Sequence, residues 1–224
     1  MLRFATTRLI SLTLSLLAAS IVIFAVIEVI PGDPASFMLG LNAEPDTVAA
    51  LRDQLGLGGS VVTRYLNWVG GMLTGDFGTS YTYRVPVTEL ILARVWVSLP
   101  LAIFALILST AIAFPVGLIA ASYRGKVADL GIMSVTQLGI AVPNFWFAMI
   151  LVLIFAIKIR WFSAGGFPGW DQGVFVAMKS LTLPAIALAL PQASILARIM
   201  RSSVLDTLDQ DYIRTARAKG LTRS

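Results

Sequence analysis

Two groups of side chains in this sequence could do chemistry, and in neither is that chemistry covalent. The first is Gln137, Asn144, Gln192 and Ser194, polar groups set within long apolar stretches. In lipid each needs a hydrogen-bond partner, so each must turn toward another helix or toward water. Such groups could line a path for a polar solute, Asn144 beside Pro143 first among them, although the commoner role of any one such residue is a hydrogen bond between helices. The second is the run Asp211-Tyr212-Ile213-Arg214-Thr215-Ala216-Arg217-Ala218-Lys219-Gly220. Arg214, Arg217 and Lys219 supply charge there for a protein partner or for anionic lipid headgroups. Ala216 and Ala218 keep the surface small enough to lie in a groove.

Covalent chemistry has few carriers. The sequence has no cysteine, which closes disulfides, thiolate metal sites and a cysteine nucleophile. It has no histidine either, so the commonest general base and metal ligand is missing. Nothing resembles a Gly-x-x-x-x-Gly-Lys phosphate loop. The expectation is a chain that is not an enzyme and holds no cofactor and no metal.

The elements that must position these groups are membrane helices. Of the residues, 57% are apolar and 13% charged, the balance of a polytopic membrane protein. A spanning helix needs about 20 mostly apolar residues, and segments 9–30, 97–121, 130–157 and 180–197 qualify. The expected fold class is all-α, a polytopic membrane helix bundle with four spans. The last segment is the shortest and carries Pro184 and Pro191. Three domains are expected: an N-terminal transmembrane helix over 1–30, an external segment over 31–94, and a transmembrane domain over 95–224.

Charge reports orientation. Arg3 and Arg8 precede the first span, Arg124 and Lys126 follow the second, and Arg198, Arg201, Arg214, Arg217, Lys219 and Arg223 follow the fourth. The positive-inside rule then places the N terminus and residues 212–220 in the cytoplasm of a multi-pass inner-membrane protein. No nucleic-acid partner is implied. The first apolar run is about 20 residues, longer than the roughly 7–15 of a signal peptide, so a retained first span is expected.

Between the spans, Pro31-Gly32-Asp33-Pro34 should end the first helix. Val62, Tyr65, Leu66, Val69 and Met72 recur at helical spacing and predict an external helix over 61–73. Gly75-Asp76-Phe77-Gly78 predicts a turn, and Pro86 suits the first turn of the next helix. Glu28, near the external end of span one, is expected to snorkel to the interface or to form an external salt bridge, not to relay protons. Pro115 and Pro143 each remove a backbone hydrogen bond and should bend their spans. Residues 212–219 predict a short helix with Asp211 at its N-cap and Gly220 stopping it in the left-handed conformation.

The residue order of 212–221 resembles the cytoplasmic coupling motif of ABC-type import permeases, in the form carried by the dipeptide/oligopeptide/nickel group. The general motif runs Glu-Ala-Ala, three variable residues, then Gly. Here Arg214-Thr215-Ala216 takes the first three places and Gly220 the last, with the glutamate missing. Pro31-Gly32-Asp33-Pro34, Gly75-Asp76-Phe77-Gly78-Thr79-Ser80, Val142-Pro143-Asn144-Phe145-Trp146 and Leu183-Pro184-Ala185 extend the resemblance along nearly the whole sequence. Ser98 stands where that family usually has threonine, and Ser163 where it has proline.

The resemblance implies a type I importer permease with six spans, two of them following the motif, so that a longer protein is expected. It implies transport of peptides or related small solutes, nickel among them, across the cytoplasmic membrane. The implied partners are a second, homologous permease, two cytoplasmic ATPase subunits that bind and hydrolyse ATP, an extracytoplasmic solute-binding protein and the lipid bilayer. Asp211, Tyr212, Arg214, Thr215, Ala216, Arg217, Ala218, Lys219 and Gly220 would then couple the permease to the ATPases. Two other readings stand beside it: a secondary transporter or channel subunit, and a truncated membrane scaffold without a pore.

Overall fold

The structure is a computed structural model that describes residues 1–29, 32–40 and 43–220, the side chains of Leu2 and Arg217 excepted. Its ordered elements are helices, as expected, with a single isolated bridge between Thr79 and Pro86 among the described residues. The chain divides into two compact units, Met1–Arg94 and Val95–Ser224.

The first unit begins with α1 (Leu2–Val29), a 28-residue helix with exposed apolar side chains along its length. A helix apolar on all faces belongs in lipid or among other helices. Short helices α2 (Pro34–Leu39) and α3 (Pro45–Gln54) each carry proline at their start, where the missing N–H costs nothing. In α4 (Val61–Thr74) the Ser60 Oγ accepts from Thr63 N at 3.2 Å, and Gly75 ends the helix at φ 84°. The side chain of Asp76 then accepts from Gly78 N at 2.8 Å and closes the expected turn.

Of the helical face read from the sequence, α4 lays Tyr65 against α1, together with Arg64 and Trp68, while Val62 and Leu66 are exposed. Phe24 meets Tyr65 edge-on with ring centroids 5.4 Å apart and Trp68 at 5.8 Å. Ser20 Oγ and Tyr65 OH lie 2.8 Å apart, and about two turns further along α1 Glu28 pairs with Arg64. Of the two readings of Glu28, snorkelling and a salt bridge, the second has its partner in Arg64.

The second unit is organised around α8 (Val174–Leu208), with α5 (Val87–Ser122), α6 (Val127–Ala141) and α7 (Asn144–Leu151) beside it. α7 runs into a π-helical turn, Val152–Lys158, and a 3₁₀ turn, Trp170–Gln172, precedes α8. The contact surfaces are built from alanine. Ala105 packs with Ala185 and Ala189, and Ala113 with Ala193 and Ala197. Leu151 and Ala156 close on Leu183 and Ala187. Small residues let helix backbones approach, which is how helices associate where lipid removes the hydrophobic drive. At Gly117 the approach is close to backbone, since a Cβ there would lie 2.7 Å from both the Ala197 carbonyl oxygen and Met200 Cβ.

Two expectations change. The fourth span, read as 180–197, is the middle of a 35-residue helix that passes through both Pro184 and Pro191. The apolar run ends at Lys179 and Arg198, but the helix continues because its charged residues find partners. The third span does not merely bend. It breaks by 96° between α6 and α7, where Val142 is extended (φ −82°, ψ 124°) ahead of Pro143. Proline disfavours the helical region for its predecessor, and here the break falls at Val142. Among the described residues, three helices are long and apolar enough to cross a membrane, or four if the broken pair counts as one span.

Candidate functional site

The C-terminal end of α8 carries the basic run outward. Asp209 N bonds Leu205 O at 3.1 Å, Gln210 N bonds Thr207 O at 3.2 Å, and α9 (Asp211–Ala218) starts at once. Gln210, not Asp211, is the cap: its carbonyl accepts from Ile213 N at 3.0 Å and Arg214 N at 3.2 Å. Asp211 lies instead in the first turn, where a carboxylate still meets the positive end of the helix. Its Oδ1 is 3.6 Å from Arg214 Nη1 in an exposed i,i+3 pair, and its carbonyl accepts from Thr215 Oγ1 at 2.9 Å. Lys219 N bonds Thr215 O at 3.1 Å, and Gly220 ends the segment at φ 88°.

α9 is two-faced. Ile213 and Ala216 are half-buried, while Tyr212, Arg214, Thr215, Ala218 and Lys219 are exposed. The side chain of Arg217 and residues 221–224 lie outside the described part of the chain.

On α8, before the chain reaches α9, sits an ion pair that sequence reasoning missed. Arg201 on α8 donates from Nε to Asp129 Oδ1 at 2.7 Å and from Nη2 to Oδ2 at 2.6 Å. Gly125 N adds a third bond to Asp129 Oδ2 at 3.0 Å, and the aspartate is only 3% exposed. One turn back along α8, Arg198 Nη2 donates to Gln137 Oε1 at 2.9 Å. Further back, Ser194 abuts Gly139, where an added Cβ would overlap its Oγ. The three contacts run in opposite directions along the two helices, so α6 and α8 are antiparallel. At the surface, Arg124 Nη1 meets Asp209 Oδ2 at 3.1 Å, linking the α5–α6 turn to the joint between α8 and α9. Both side chains are more than half exposed, so this contact directs geometry more than it stabilises.

Of the polar residues read as path candidates, the structure brings Gln137 and Ser194 to the α6–α8 contact. Gln137 is engaged by Arg198, and Ser194 Oγ donates to its own helix at Leu190 O, 3.0 Å away. Asn144, the first residue of α7, and Gln192 are exposed. The one sequence signal for the missed pair was Asp129 itself, a lone carboxylate at the edge of an apolar run beside Arg124 and Lys126.

Apolar helices joined through alanine, one of them broken, with a basic helix at the end of the longest, define a polytopic membrane protein whose polar segment is presented outward. Residues 113–224 match the family described as the binding-protein-dependent transport system inner membrane component, and residues 1–102 match that of its N-terminal region. The chain belongs to this family of inner-membrane transport components. It is 37% identical to a putative peptide transport system permease protein of Brucella suis, over 92% of this chain and 66% of that one. It is 39% identical to the oligopeptide transport system permease protein AppB of Bacillus subtilis, over the same shares. With the glutathione transport system permease protein GsiC of Salmonella choleraesuis it shares 34% identity over 100% of this chain and 71% of that one. The chain thus spans 66% of the length of the Brucella and Bacillus relatives.

Proposed function

We propose that this chain is a permease subunit of an ATP-driven importer that moves short peptides, glutathione-like ones included, across the inner membrane. The names of its relatives support the substrate class. Its partners are a second permease of the same family, two cytoplasmic ATPase subunits and an extracytoplasmic binding protein. The N terminus and residues 211–220 face the cytoplasm, residues 31–94 face outward and receive the loaded binding protein, and the spans of 95–224 form half of the path.

The observation that carries this reading is α9. It is a short helix with an exposed face of Tyr212, Arg214, Thr215 and Lys219, joined to α8 through Asp209 and Gln210 alone. So short a link transmits displacement. ATPase closure moves α9, α8 follows, and Arg201 hands the motion to α6, so that nucleotide binding biases two pre-existing packings of the spans. Asp211 and Gly220 hold the helix ends, Ala216 and Ala218 allow a close fit, and Arg217 adds to the charge offered to the ATPase. Asn144 and Gln192 are the polar groups left to line the path, with Gln137 and Ser194 bracing it.

The absence of cysteine makes the test direct. Thr215→Cys and Lys219→Cys, each expressed with its transport partners, should crosslink to an ATPase subunit. Arg217→Glu should uncouple ATP hydrolysis from uptake while the complex stays assembled. An assembled complex in which neither cysteine reaches an ATPase, and in which Arg217→Glu transports normally, would remove α9 from the coupling role.

A further inference from the structure

The first unit encloses a cavity of about 600 Å³ that the coupling reading does not use. That volume lies within the range of small-molecule sites. Its wall comes from the end of α1, from α4, and from the turns around residues 32–34, 55–57 and 77–81. Four ionisable groups line it, Glu28, Asp33, Arg52 and Arg64, two of each sign. Trp68 and Tyr81 add aromatic surface, and Trp68 is held in place by Phe24.

One detail shows what the cavity lacks. Arg64 spends Nη2 on Glu28, but its Nε is buried and has no hydrogen-bond partner among the described residues. Nε itself is closed to water, so an oxyanion in the cavity is met by the terminal N–H groups of the Arg64 guanidinium, which carries five donors in a fixed fork. Arg52, in no ion pair among the described residues, lines the same space. The carboxylates and aromatic rings offer the complementary chemistry, since an ammonium is attracted to both.

We infer that this cavity binds a small zwitterion, its oxyanion taken by Arg64 and Arg52 and its ammonium by Asp33 and Glu28 against Trp68 and Tyr81. A short peptide with free ends carries this pair of charges, and so does a phosphatidylethanolamine headgroup. The site differs from the coupling segment in residues and in chemistry, so it stands or falls without it.

The test uses the full chain alone in phosphatidylcholine nanodiscs, with trialanine, its C-terminal amide and its N-acetyl form as probes in saturation-transfer NMR. Trialanine should bind saturably. Each capped form should bind at least about tenfold more weakly, the usual effect of losing a charged hydrogen bond. Arg52→Gln should weaken trialanine by a similar factor, and Arg64→Lys should do so while keeping a positive charge beside Glu28. If the lipid is the natural source, trialanine will not bind, but native mass spectrometry of the chain from ethanolamine-lipid discs will show retained phosphatidylethanolamine that Arg52→Gln loses. Equal binding of free and capped peptides overturns the site. So does the absence of both trialanine binding and Arg52-dependent lipid retention. No ATPase enters the measurement, so its failure is separable from failure of the importer reading.

Discussion

Arg201 holds Asp129 with two nitrogens, at 2.7 Å and 2.6 Å, so the two groups meet fork to fork. Such a contact fixes direction as well as distance, because the guanidinium plane must match the carboxylate. It lies on α8 nine residues before Gln210 caps α9, and on α6 thirteen residues before the break at Val142. The pair is therefore placed to join the outer basic helix to the broken span.

Arg201→Lys keeps the charge and loses the fork. We expect a lower thermal unfolding midpoint in detergent, and a larger drop for Asp129→Asn, which leaves the arginine unpaired. The double variant Asp129→Asn/Arg201→Gln should fall less than the sum of its two single changes, since neither charge is then stranded. A double-variant cycle measured by thermal melts decides it. Strict additivity would mean that the two side chains do not act as a unit.

Alanine at Gly117 and alanine at Gly131 should act in opposite directions. At Gly117 a Cβ meets the Ala197 backbone oxygen, which cannot swing aside, so the α5–α8 contact must open. Overpacking of this kind costs about 1–3 kcal/mol. Gly131 in α6 has nothing within 4 Å of an added Cβ, so alanine there should gain up to about 1 kcal/mol of helix propensity. Unfolding in denaturant, read by loss of helical circular dichroism, would separate them. Similar responses at both sites would refute the close approach of α5 and α8.

Gly220 sits at φ 88°, where a β-branched side chain is strained by about 1–2 kcal/mol. Gly220→Val should fray the end of α9 and lower uptake per ATP hydrolysed, with membrane insertion unchanged. Gly220→Asn, which tolerates the left-handed region, should retain most of the coupling. Uptake and hydrolysis measured together in proteoliposomes test this, and equal coupling in the valine and asparagine variants would show that the conformation at 220 is immaterial.

The break between α6 and α7 is attributed to Pro143 acting on Val142. Pro143→Ala frees Val142 to become helical and restores an N–H to the ladder. The two arms, now at 96°, should open toward a straight rod. Spin labels on cysteines introduced at Gly131 and Leu153 would then move apart by several ångströms in the alanine variant. An unchanged distance would assign the angle to the packing of α7 on α8 instead of to the proline.

How much of this was legible in the sequence varies with the range of the interaction involved. The face of α4 was readable only in part: Tyr65 belongs to a local period that any amphipathic helix shows, whereas Val62 and Leu66 of the same period stay exposed and Arg64 and Trp68 complete the contact. The stop at Gly220 was readable because backbone sterics act within one residue. The ends of α8 were not. An apolar-run criterion halts at Lys179 and Arg198, whereas the helix extends to Leu208 because Arg198 and Arg201 are met by Gln137 and Asp129. Asp211 looked like a cap by residue type, but the chain turned one residue earlier and gave that place to Gln210.

By itself the sequence determined that the chain forms apolar helices, that prolines 115, 143, 184 and 191 fall within the apolar runs, and that a basic segment follows the last one. These features depend on transfer into lipid and on local backbone geometry, both summed over neighbouring residues. Only the tertiary structure decided which polar side chains are ties and which are free. Gln137 is bound by a residue 61 positions away and Asp129 by one 72 positions away, while Asn144 and Gln192 stay exposed. Pairing at such separations depends on the register in which two helices pack, and that register is set by where Gly139 meets Ser194 and Gly117 meets Ala197.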